Sequence, residues 1–95
     1  MAHYHNRPSL RQLRRLGMTQ KDFADRIRQT RERNNLSLQQ LGAELGVTGP
    51  SVGRWQRGDH LPGSGLDPEF VLELLGQIDK KYGGGENDKR QFGEA

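Results

Sequence analysis

The chain has 95 residues, enough for one small domain with a modest core. It has no cysteine, which excludes a disulfide framework and a cysteine-ligated zinc site. No apolar run is long enough to span a bilayer and no apolar signal core opens the chain, so a cytoplasmic protein is expected. The formal charge of +3 and the pI near 9.7 point to a polyanionic partner. Residues 1–35 carry nine Lys or Arg against three Asp or Glu, residues 36–65 two of each, and residues 66–95 four against seven. A basic front and an acidic back suit a module that meets its partner with the first third.

Residues 1–7 read as a flexible arm. Over residues 8–16, Leu10, Leu13 and Leu16 recur at spacing three with Arg11, Arg14 and Arg15 between them. That is a short amphipathic helix stopped by Gly17. Thr19 caps the next helix, with Asp22 in the reciprocal position. Phe23 and Ile27 share one face of it, and Asn34 and Asn35 close it. Ser37 and Gln40 have capping-box spacing for a helix that runs to Leu45 and stops at Gly46. Thr48 caps a further helix with Pro50 in its first turn, ended by Gly58. Residues 59–66 form a loop. Asp67 and Pro68 open a last helix through about Tyr82. Residues 83–95 have the composition of a disordered tail. The expected division is an arm with a short helix over 1–17, a main domain over 18–82 and a tail over 83–95.

Residues 38–57, LQQLGAELGVTGPSVGRWQR, form the informative segment. Two short helices that meet at a sharp angle make specific demands. The first needs inward apolar residues one turn apart, met by Leu41 and Leu45. The close crossing needs a very small residue, met by Gly42. The turn needs a residue that accepts positive φ, met by Gly46, and an apolar anchor, met by Val47. The second helix needs inward residues at helical spacing, met by Val52 and Trp55. These seven positions together specify a helix-turn-helix, and they assign Trp55 to the core.

The phrases IRQTR (Ile27 to Arg31), LSLQQLGAELGVTGPSVGRWQRG (Leu36 to Gly58) and the closing WQRG carry a resemblance to the Cro and phage-repressor (XRE-like) helix-turn-helix regulators. The resemblance covers roughly residues 19–62 and 66–80. It implies an all-α fold, a compact four- to five-helix bundle of lambda-repressor-like type. It also implies that the helix from Gly49 to Gln56 enters the major groove of double-stranded DNA while the helix before it aims its N-terminus at a phosphate. The implied groove-facing positions are Thr48, Gly49, Pro50, Gly53, Arg54 and Arg57. Arg54 suits a bidentate contact to guanine, and Thr48 and Ser51 suit a phosphate or a thymine methyl. Gly49, Pro50 and Gly53 have no side-chain hydrogen-bonding group where relatives often carry long polar residues, which implies more reliance on DNA shape. Relatives often have a phosphate-gripping glutamine at the position of Leu38, and Ser37 and Gln39 are the substitutes here. Relatives often pair the arginine at the position of Arg31 with an acid at the position of Gln56. With an amide there, a freer Arg31 that can reach a phosphate is expected.

Two readings of Arg11, Arg14 and Arg15 stay open: an extra DNA-facing element, or the exposed side of a helix whose leucines pack on the domain. The last helix offers Val71, Leu75, Ile78 and Tyr82 as one stripe and Phe70 and Leu74 as another. One stripe closes the core, and the other is expected to make a homodimer. His3, His5 and His60 lack metal-ligand spacing. No catalytic constellation stands out, so neither an enzyme nor a cofactor is expected. The resulting expectation is a sequence-specific DNA-binding transcriptional regulator of repressor type. The alternatives are an antitoxin-type autoregulator that binds a toxin and a protein-interaction adaptor on the same fold.

Overall fold

Side-chain caps decide where the helices begin. The computed structural model describes residues 7–63 and 66–84. Residues 1–6 and 85–95, with His3, His5 and most of the expected arm and tail, lie outside the described residues. The order is α1 (Arg7–Arg15), α2 (Gln20–Arg33), α3 (Leu38–Leu45), α4 (Gly49–Arg57) and α5 (Pro68–Tyr82), with no strand among the described residues. This is the expected all-α bundle.

At α2, Thr19 Oγ1 accepts from the Asp22 N–H and Asp22 Oδ2 accepts from the Thr19 N–H, both at 3.0 Å. At α3, Ser37 Oγ accepts from the Gln40 N–H at 3.0 Å and Gln40 Oε1 accepts from the Ser37 N–H at 2.8 Å. Thr48 caps α4 through the Ser51 N–H at 3.3 Å, and Asp67 caps α5 through the Phe70 N–H at 2.8 Å. Each such cap satisfies N–H groups that a helix cannot pair internally and contributes about 1 kcal/mol.

The core is built from Phe23 and Ile27 of α2, Leu41 and Leu45 of α3, Val52 and Trp55 of α4, and Val71, Leu75 and Ile78 of α5. The α3–α4 crossing is its tightest point. A Cβ on Gly42 would stand 2.7 Å from the Val47 carbonyl oxygen and 3.0–3.1 Å from backbone atoms of Thr48 and Gly49. Gly46 ends α3 in the left-handed region at φ 78° and turns the chain toward α4.

Two faces differ from the sequence pattern. Only Leu13 of the α1 leucines is buried, at 1% exposure; Leu10 and Leu16 are 38% and 41% exposed. Spacing three falls about 60° short of a full helical turn at each step, so the outer two leucines lie to either side of the buried stripe. Leu16 also follows the last helical residue, Arg15. On α5, Val71, Leu75 and Ile78 are buried, whereas Tyr82 is 41% exposed. At the end of the helix its hydroxyl donates to Glu44 Oε2 at 2.6 Å instead of joining the core.

A charged clamp ties α2 to α5. Both oxygens of Asp79 accept from Arg33, Nε reaching Oδ1 at 3.0 Å and Nη2 meeting Oδ2. Asn34 Nδ2 donates to the same Oδ1 and to the Thr30 carbonyl, each at 2.8 Å. Burial pushes the Asp79 carboxyl up, but the hydrogen bonds from Arg33 and Asn34 and the charges of Arg33 and Arg26 outweigh it and hold the group below 3.8. A lowered carboxyl stabilises the fold above its unfolded value and loses that contribution as pH falls through the folded value.

Gly42→Ala should destabilise the domain by about 1–3 kcal/mol, because the obstructing atoms are backbone. Gly76→Ala, inside α5 with nothing within 4 Å of the new methyl, should stabilise it by about 0.5–1 kcal/mol. Urea denaturation of the two variants checks both signs. Denaturation midpoints followed from pH 6 to pH 2 should fall below about pH 4 for the parent. Asp79→Asn should be weaker near neutrality and should lose much of that acid dependence.

Candidate nucleic-acid interface

The α3 and α4 segments carry all the sequence-derived residues except Arg31, which lies on α2, and Ser37 and Thr48, which cap the two helices. Val52 and Trp55 anchor α4 in the core at 0% and 6% exposure. The opposite face, at helical spacing, presents Pro50, Arg54 and Arg57, all exposed. Neither α3 nor α4 carries an acid in its first turn. Their N-terminal partial positive charges are therefore uncompensated by a carboxylate of their own.

Arg54 is exposed and makes no ion pair among the described residues. Thr48 is exposed and Ser51 half-buried, their hydroxyl oxygens 3.0 Å apart. Arg57 Nε donates to Asp59 Oδ2 at 3.0 Å, with both side chains more than half exposed, so the pair is labile and contributes little to stability. Ser37 is exposed, and its Oγ serves the α3 cap as an acceptor. Gln39 is exposed two residues further on.

Three placements differ from the expected groove face. Gly49 and Gly53 are buried in the α3–α4 seam. A Cβ on Gly49 would stand 3.2 Å from Gln39 Cγ, and one on Gly53 would stand 3.6 Å from Leu38 Cδ1 and from Arg57 Nη1. These glycines face the chain's own α3 and let the two helices close. Arg31 is not loosened by the amide opposite it. Its Nε donates to Gln56 Oε1 at 2.8 Å and its Nη1 to the Leu36 carbonyl at 3.4 Å. An amide oxygen accepts as well as a carboxylate does in geometry, so the arginine is pinned in a half-buried position beneath α4.

The neighbours of Arg57 across the α2–α4 junction had no place in the sequence pattern. A groove of about 430 Å³ runs between the start of α2 and the end of α4, bordered by Lys21, Asp25, Arg28, Gln56 and Arg57. Its floor is fixed by Gln20, whose Nε2 donates to the Gly58 carbonyl at 2.8 Å. Lys21 and Arg28 share Asp25, at 3.2 and 3.0 Å. The hydrogen bond from Lys21 leads in holding the Asp25 carboxyl below 3.8, helped by both charges and opposed by desolvation. Spacings of three and four along α2 were the available signal for this triad. No group of three His, Asp or Glu able to hold a metal occurs among the described residues.

The arrangement offers an α4 face with Arg54 and Arg57 exposed, packed on α3, whose cap residue Ser37 and first-turn Gln39 are also exposed. Such a surface can enter a groove and meet flanking phosphates. Among curated proteins and among solved structures, nothing matches this chain. A family model described as a helix-turn-helix domain matches residues 22–86, about two thirds of the chain. The match takes in the capped α3–turn–α4 unit and the helices that brace it, and the chain belongs to the helix-turn-helix domain family.

Proposed function

We propose that the chain is a sequence-specific regulator of transcription, of repressor type, that reads the major groove of double-stranded DNA with α4 and binds as a homodimer. The observation that carries this reading is the division of α4 into two faces. Val52 and Trp55 are locked in the core, and Pro50, Arg54 and Arg57 stand clear of the protein. Arg54, with no internal acid to hold it, is assigned the bidentate contact to guanine. Thr48 and Ser51 are assigned to a phosphate or a thymine methyl, and Arg57 to a phosphate after release from Asp59. Ser37 and Gln39, at the α3 N-terminus, flank the opposite strand's backbone. Arg31 serves by holding α4 through Gln56. Gly49, Pro50 and Gly53 add no hydrogen bond to a base, so the fit of the α4 backbone to groove shape carries part of the selectivity.

The exposed face of α5 supports the dimer. Phe70 is 47% exposed and Leu74 half-buried, beside a groove of about 320 Å³ lined by Glu44, Leu74, Gln77 and Lys81. Two copies joined through such a patch would have to present their α4 helices about one DNA turn, roughly 34 Å, apart to read two half-sites.

Binding to a randomised duplex pool at stepped salt, with the retained sequences read, should enrich a two-fold palindrome containing guanine in each half. Arg54→Ala should weaken binding to that palindrome by about 1–3 kcal/mol and relax the preference at the guanine. Failure to retain any duplex at low salt would remove the DNA reading and favour the adaptor. In sedimentation, Phe70→Glu should shift the protein to monomer while changing its unfolding free energy by no more than about 0.5 kcal/mol, the usual range for a surface site.

A further inference from the structure

α1 lies before the family match, which begins at residue 22, and nothing in the reading of α4 requires it. Its sequence, RPSLRQLRR, contains no acid. Arg11, Arg14 and Arg15 are exposed, and none makes an ion pair among the described residues. Lys21, Arg28, Arg33, Arg57 and Lys81, by contrast, each hold a carboxylate. Arg11 lies three and four residues from Arg14 and Arg15, the spacings at which like charges on a helix repel. The described residues thus leave Arg11, Arg14 and Arg15 without a carboxylate at ion-pair distance, a state that Arg54 shares.

The position of α1 is fixed. Leu13 is buried in the core. The buried Ser9 hydroxyl donates to the Pro62 carbonyl, and Gln12 Oε1 accepts from the Glu69 N–H at 2.7 Å. Pro62 is four residues beyond Gly58, the C-cap of α4, a distance that even extended chain could not stretch past about 14 Å. The start of α2 is tied to the same place through Gln20 and Gly58. The Ser9 end of α1 is thus held within a short stretch of chain from the exit of α4, where Arg57 also stands. Duplex DNA presents about one negative charge per 1.7 Å of its axis along both edges of the groove.

We infer that α1 is a second DNA-backbone element, in which Arg11, Arg14 and Arg15 neutralise phosphates flanking the bases read by α4. The inference rests on the DNA reading of α4. It assigns α1 to affinity and α4 to sequence choice, since phosphate contacts position a protein and base contacts specify its site.

The test is the salt dependence of full-length protein on its selected duplex, with Arg11, Arg14 and Arg15 all changed to Gln. Circular dichroism shows that the variant is folded. Each phosphate that the variant no longer neutralises should reduce the slope of log K against log salt by about 0.9. The expected reduction is about one to three in slope, with the ranking of duplex sequences unchanged and the parent slope kept when the three residues are Lys. Arg54→Ala should do the opposite and alter the ranking. A parent that binds DNA with a slope the Gln variant leaves unchanged overturns the role of α1 alone. A parent that binds no DNA overturns both readings. Loss of binding to phosphatidylglycerol vesicles in the Gln variant, with the DNA slope intact, gives the face to a lipid surface and also overturns the inference.

Discussion

The absence of a side chain at Gly42 is the constraint on which the rest depends. With the Val47 carbonyl oxygen 2.7 Å from where a Cβ would lie, α3 and α4 cross with backbone against backbone. That closeness sets the angle between them, brings Leu41 and Leu45 onto Val52 and Trp55, and leaves Pro50, Arg54 and Arg57 facing outward. A wider crossing would open the seam that buries Gly49 and Gly53. Interiors packed at crystal-like density do not absorb a methyl at such a point by small adjustments. The chain therefore places its smallest residue where two helices need the least distance, and uses larger ones to fill the sides.

Much of this was legible in the sequence because it rests on local chemistry. Thr19 with Asp22 and Ser37 with Gln40 announce helix starts through contacts three residues long, and Thr48 and Asp67 do so as caps ahead of a first-turn proline. Gly42, Gly46, Val52 and Trp55 announce the turn through fixed offsets. The misplacements have a shared cause: they depend on what lies across a gap in sequence. Gly49 and Gly53 look groove-facing if α4 is considered alone, and are buried once Leu38 and Gln39 are set beside them. Gln56 looks like a weakened partner for Arg31, yet its oxygen sits 2.8 Å from Nε and a second carbonyl joins it. Tyr82 fits the periodicity of α5 but meets Glu44, thirty-eight residues away. The ties of Ser9 to Pro62 and Gln12 to Glu69 have no local signature.

The charges divide in a similar way. Asp79 receives Arg33 and Asn34, Asp25 receives Lys21 and Arg28, and Glu44 receives Lys81 and Tyr82. The hydrogen bonds from Tyr82 and then Lys81 hold the Glu44 carboxyl below 4.5, and the same contacts raise Lys81 and Tyr82 above their ordinary values. These three acids, each on a different helix, are thus committed to the protein's own donors. Arg11, Arg14, Arg15 and Arg54 lie outside every ion pair among the described residues, so α1 and α4 each carry positive charge that no carboxylate meets at ion-pair distance.

The ties around Gly58 and Pro62 have a mechanical meaning. Gln20 grips the end of α4, Ser9 grips the loop that follows it, and Gln12 grips the first turn of α5. α4 is therefore fastened to α2 at its exit and along its length and to α3 along its flank, and the loop that leaves it is tied to α1. Two copies joined along α5 would act as a pair of calipers with a locked screw: the gap between their α4 tips would be a length built into the protein. A duplex whose half-sites were spaced differently would have to twist or bend to fit, and the energy of that distortion would fall on the DNA.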